Sequence, residues 1–128
     1  MKGVQGRPAM AVLGTVDMER ALAFYHGVLG LSIISGDTYG TSLEAGGTEL
    51  RLTRVSEVVA APYAQLGWRV TDLTTVAASL RERGIMLVQF PHLEHDEAGA
   101  WTGPGGVRVA WFHDPDGNLL SIVEDPGR

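Results

Sequence analysis

The chain carries four histidines, no cysteine and three tryptophans, and these bound the chemistry open to it. Without a thiol, cysteine nucleophiles, thiolate metal sites and disulfides are excluded. His92 and His95 stand three residues apart in "PHLEHDEAGAW", between a strand-like run ending at Phe90 and another starting near Val107. No helical periodicity orders that segment, so a solvated loop is expected. Its length points the other way, because long loops in compact domains are often lids or binding loops. His26 falls on the polar side of the first expected helix and His113 abuts the turn "DPDG", both surface positions.

The elements that must position these groups belong to one domain of 128 residues, 45% of them hydrophobic, enough to bury a core but not two independent ones. A formal charge of -5 argues against a nucleic-acid partner and favours neutral or cationic small ligands. "MKGVQGRPAMAV" lacks the apolar run of a signal peptide, and no stretch is apolar over the length of a membrane span, so a cytoplasmic protein with no membrane partner is expected.

Residues 9 to 16 read as a strand that enters Asp17 as a helix N-cap. Met18, Ala21, Leu22, Tyr25, Val28 and Leu29 then form one apolar stripe, a helix of about three turns that Gly30 stops. "LSIIS", "YGTSLEA" and "TELRLT" follow as strands, the last two joined across Gly46-Gly47. The order recurs: "QLGWRV" as strand, Asp72 as cap, Leu73, Val76, Ala77 and Leu80 as stripe, Gly84 as stop. Three more strands are expected in "IMLVQF", "VRVAWFH" and "NLLSIVE". Asp17 and Asp72 are 55 residues apart and Gly30 and Gly84 are 54 apart, the mark of a duplicated βαβββ unit. The two modules cover about 9–55 and about 63–124 of a single domain.

Paired βαβββ modules, with "TVDMERALAFYHGVLGL" in the first and "WFHDPDGNLLSIVE" in the second, resemble the vicinal oxygen chelate superfamily, also called the glyoxalase, bleomycin resistance and dioxygenase family. The resemblance runs from about Met10 to Glu124 and implies an α+β fold whose two modules form an incomplete barrel with a concave cleft. The motif residues themselves have structural readings. Asp17 caps a helix, Phe24 and Tyr25 fill space between helix and sheet, and "DPDG" is a turn in which Pro presets φ and Gly takes positive φ.

In that superfamily a divalent metal is held by residues on the first and last strands of each module. Strand alternation, with the leucine-rich face turned to the helices, leaves Met10, Glu49, Arg51, Thr53, Gln65, Gly67, Arg69, Leu119, Ser121 and Val123 facing the cleft. Aligning on the family pattern at Asp17, the first hairpin, Val70 and "DPDG" puts Met10, Glu49, Gln65 and Ser121 at the four corresponding positions. A thioether, one carboxylate, an amide and a hydroxyl are a poor set for zinc, nickel or iron, so no metal and no other cofactor is expected. Ser121 also cannot act as a general base near neutral pH where glyoxalase chemistry uses a carboxylate. Arg51 and Arg69 share the same faces, beside an apolar wall of Met10, Val12, Leu119 and Val123. Trp111 faces the cleft by the family pattern, and Trp101 lies in the long loop where it could close the mouth.

The resemblance therefore implies a small-molecule-binding protein of the bleomycin-resistance kind. Met10, Glu49, Arg51, Gln65, Arg69, Trp101, Trp111 and Ser121 are its candidate ligand contacts. The alternative is a metal-dependent glyoxalase-like lyase or dioxygenase, and the alternative for Glu49 and the two arginines is a structural ion-pair network. A homodimer is expected, because the amphipathic elements leave edges to cover.

Overall fold

The structure, a computed structural model, describes residues 3–127, which divide after Val58 into two compact units. The first holds β1 (Met10–Thr15), α1 (Met18–Leu22), β2 (Ser32–Gly36), β3 (Gly40–Glu44) and β4 (Glu49–Arg54). The second holds β5 (Leu66–Arg69), α2 (Leu73–Glu82), β6 (Trp101–Thr102), β7 (Arg108–His113) and β8 (Leu119–Glu124). This is the α+β, twice-repeated βαβββ order expected. The two sheets have matching orders, β1-β4-β3-β2 and β5-β8-β7-β6, in which the first strand of each module lies parallel to its last. No helix of the described residues is long and apolar enough to cross a membrane.

Each sheet buries one face. In the first, Leu13, Leu43, Leu50 and Leu52 are buried, and Met18, Ala21 and Tyr25 from the adjoining helix are buried as well. In the second, Ala110, Phe112, Leu120 and Ile122 are buried, as are Leu73, Ala77 and Leu80 of α2. A fully buried Leu or Phe contributes roughly 1.5–3 kcal/mol, so these two rows are the main stabilisation of each module. Both caps form as the sequence indicates, with Asp17 accepting the Arg20 N–H at 3.1 Å and Asp72 accepting the Thr75 N–H at 3.2 Å.

Three elements differ from expectation. The first helix is α-helical only to Leu22 and continues as a π-helix over Ala23–Val28, a wider winding that the apolar stripe does not distinguish from α. "IMLVQF" is not a strand. Among the described residues its backbone meets β7 only through an isolated bridge of Leu87 with Phe112 and a bond from Val88 N–H to Trp111 O. The fourth strand of the second sheet is instead β6, at Trp101, inside the segment expected to be loop.

A candidate aromatic ligand site in the second module

Strand pairing sets which side chains share the open face of each sheet. In the first module Met10 lies opposite Glu49 and Val12 opposite Arg51, and Glu49 lies opposite Glu44 on its other side. Met10 is 50% exposed, while Leu13 in the same strand is buried, so the alternation puts Met10 and Glu49 together on the face away from the helix. Glu44, which the sequence reading passed over, gives this corner a second carboxylate. One of its oxygens already accepts the Gly47 N–H of the turn between β3 and β4.

Arg51 is committed. Its guanidinium reaches both oxygens of Asp37 at 2.9 Å and the Ser42 hydroxyl at 3.3 Å, clamping the connection between β2 and β3. The Tyr39 N–H and the Arg51 guanidinium together hold the Asp37 carboxyl below its ordinary value of 3.8. Arg69 makes a looser pair with Asp125 at 3.9 Å and stays 60% exposed. Within the first module, Arg51 makes no ion pair with Glu49 among the described residues. Each arginine thus has a local carboxylate partner within its own module.

In the second module Ser121 lies between Gly67 of β5 and Trp111 of β7. A Cβ at position 67 would stand 2.5 Å from the Ser121 hydroxyl, so the glycine is what lets that side chain fit. Gln65 donates its backbone N–H to Leu119 O at 2.9 Å and is exposed. Among the described residues no three His, Cys, Asp or Glu side chains gather where they could hold a metal ion. The donors at the four expected corners are a thioether, a carboxylate, an amide and a buried hydroxyl, and this set does not fit a catalytic zinc, nickel or iron centre.

What the second module does assemble is a cluster of rings. Trp101 pairs with Val109 and Trp111 with Ser121, so both indoles belong to the open face, with centroids 6.1 Å apart. Trp101 is thus held in a strand rather than in a free loop, and its ring lies over Gly103, where a Cβ would come within 2.6 Å of it. Phe90 meets Trp111 edge to face at 5.1 Å, and His92 packs 5.9 Å from Phe90. Edge-to-face pairs of this kind are favourable by about 0.5–1.5 kcal/mol beyond their burial.

Two recesses open beside these rings, separated by His92 and Leu93, which line both. One, of about 270 Å³, is walled mainly by Tyr63, Phe90, Trp111 and Leu119. The other, of about 470 Å³, is walled by Glu94, His95, Asp96 and Trp101. The segment between them is well tied despite its lack of periodicity. Asp96 accepts the Ala100 N–H and pairs with Arg108 at 2.9 Å, and Arg81 of α2 reaches Glu97 O at 3.1 Å. Partial burial alone would raise the Asp96 carboxyl, but the Ala100 N–H and Arg108 outweigh it and hold it below the ordinary value. Phe90, His92, Leu93 and Tyr63 were not among the sequence candidates. The length of the segment was the one sequence signal for His92 and Leu93, while Tyr63 and Phe90 lie outside it.

This fold and strand order are found in known proteins. The family model of the Glyoxalase/Bleomycin resistance protein/Dioxygenase superfamily matches residues 7–122. The chain belongs to that superfamily. Similar solved structures include a glyoxalase family protein from Enterococcus faecalis, 21% identical with a TM-score of 0.73 over 95% of this chain and 100% of that one. A glyoxalase/bleomycin resistance protein/dioxygenase from Alicyclobacillus acidocaldarius is 19% identical with a TM-score of 0.72, over 94% and 92%. A lactoylglutathione lyase from Agrobacterium tumefaciens is 19% identical with a TM-score of 0.68, over 94% and 95%. At such identities the likeness shows the superfamily fold. No curated protein matches the chain.

Proposed function

We propose that this superfamily member binds a small planar, largely apolar molecule without a metal ion, and that the rings of the second module hold it. The observation that carries this reading is the recess walled by Phe90, Trp111, Leu119 and Tyr63, with Trp101 beside it. An apolar concavity with aromatic faces and a few polar groups at its rim is what a small-molecule site requires. The weak donors at Met10, Gln65 and Ser121 support the metal-free part of the reading.

The test has two arms. Elemental analysis of protein purified without added metal should find far less than one zinc, nickel, iron or manganese per chain, and glyoxalase turnover of the glutathione hemithioacetal should be undetectable with any of these ions added. Near-stoichiometric metal, with turnover that disappears in Glu49→Gln, would reinstate the metal-dependent lyase. A thermal-shift screen of planar aromatic compounds should yield stabilising ligands in the presence of chelator.

We also propose a homodimer. β2 is exposed along its whole length, with Ile33 and Ile34 about half exposed, and an edge of that kind is ordinarily covered. Light scattering should give twice the chain mass, and a concentration-independent monomer would refute it.

A further inference from the structure

One imidazole ties the aromatic segment together. His95 Nε2 accepts the Phe90 N–H at 3.0 Å, and its Nδ1 lies 3.0 Å from Gly99 O. A backbone N–H can only donate and a carbonyl can only accept. The two contacts are therefore satisfied together by a single form of the ring, neutral with its proton on Nδ1. The imidazolium form carries N–H at both nitrogens and would turn a donor toward the Phe90 N–H.

We infer that His95 is a positioning residue which, when neutral, holds Phe90 against Trp111, and that its protonation releases this wall of the recess. Phe90 is the link: its backbone is fixed by His95 and its ring by Trp111, while the His95 ring itself lies 6.3 Å from Trp111. Acid-sensitive ligand binding follows from this and rests on the reading of the recess as the ligand site. The latch itself does not.

The charged groups around His95 are few. Glu94 and Glu97 are exposed, so their attraction for an imidazolium is screened by solvent. Asp96 is engaged by Arg108. From α2, Arg81 comes close to Gly99, where a Cβ would meet its guanidinium at 2.7 Å, and so puts a cation near the carbonyl that His95 serves. His92 flanks Phe90. From β6 and β7 the neighbours are Trp101 and Trp111, which carry no charge.

The experiment follows the latch without a ligand first. In a Trp68→Phe background, tryptophan emission and Phe90 amide exchange are measured from about pH 8 to about pH 5, the range in which histidine changes charge. The wild-type latch should show an emission change and, relative to the intrinsic exchange rate at each pH, about fivefold lower protection of the Phe90 amide at the acid end, the loss of one hydrogen bond. In His95→Gln the amide oxygen can accept the Phe90 N–H at every pH, so the acid step should vanish while the emission at pH 8 is kept. His92→Gln should keep the step. Nitrogen NMR of the imidazole should find the proton on Nδ1 at pH 8. A step that survives in His95→Gln, or a proton found on Nε2, would overturn the inference.

The second stage repeats the titration with N-phenyl-1-naphthylamine, a neutral aromatic probe. Binding should weaken about fivefold on acidification in wild type and stay flat in His95→Gln. If the latch step is present and the probe binds at neither pH, the latch stands and the ligand-site reading fails.

Discussion

The two modules share one strand order and diverge at the second strand. In the first, β2 runs Ser32–Gly36 and pairs along β3, and the connection after it is clamped by Arg51 and Asp37. In the second, β6 is two residues long, and the chain between α2 and β6 is folded by side-chain contacts instead of a ladder. Shortening a strand releases backbone from pairing, and here the released segment supplies Phe90, His92, Leu93 and His95 to the rings of β6 and β7. The duplicated unit thus gives one module with a regular second strand and one in which that strand gives way to a ring-lined segment.

The largest expected effect separates the modules by their last turns. Between β3 and β4 the first module uses Gly46 and Gly47, both at positive φ, with no buried polar side chain. Between β7 and β8 the second uses Asp114, which is buried and accepts the Asp116 and Asn118 N–H groups and the Asn118 side-chain amide at 2.8 to 2.9 Å. Asp114→Ala should cost about 2–4 kcal/mol, since it strands several buried donors, and the denaturant midpoint should fall accordingly. A loss below about 0.5 kcal/mol would show that the turn forms without its carboxylate.

The acid response should differ next. Asp37 in the first module and Asp96 in the second both have carboxyls held below 3.8. A depressed carboxyl contributes stability that is complete above its unfolded value and is lost as the pH falls through its folded value. Both anchors should therefore persist to below about pH 4 and fail only in stronger acid. The His95 latch should act at higher pH and only in the second module. Residue-resolved amide exchange can separate the two windows. Loss of protection around Asp37 in the higher range would break the comparison.

A smaller effect is expected from the first module's polar face. Arg51→Met removes the Asp37 clamp but no recess wall, so binding of an aromatic probe should change by less than about twofold, within the range of surface substitutions. A clear loss of binding in folded Arg51→Met would place this residue in the ligand site.

In both modules the regular elements were the legible parts. Asp17, the apolar stripe, and the alternation in "TELRLT" and "NLLSIVE" report local geometry directly, so the elements and the faces of Met10, Glu49 and Ser121 follow from period alone. "IMLVQF" has a strand's composition, yet its partner groups on β7 are taken at only one bridge, and composition does not reveal pairing. The His95 contacts to Phe90 and Gly99 span five and four residues in a segment with no period, so nothing in the spacing marks them. Arg51 and Asp37 are 14 residues apart, and their pairing depends on a turn geometry that appears only once β2 and β3 are formed.

The central claim is that the second module's rings bind a planar molecule without metal, and one titration tests it most directly. N-phenyl-1-naphthylamine is titrated at neutral pH, with chelator present, into wild type and Trp111→Ala. Wild type should saturate unaffected by chelator, and Trp111→Ala should bind about fivefold more weakly, the loss of about 1 kcal/mol of ring contact. Equal affinities in the two folded proteins, or binding that chelator abolishes and added divalent metal restores, would contradict it.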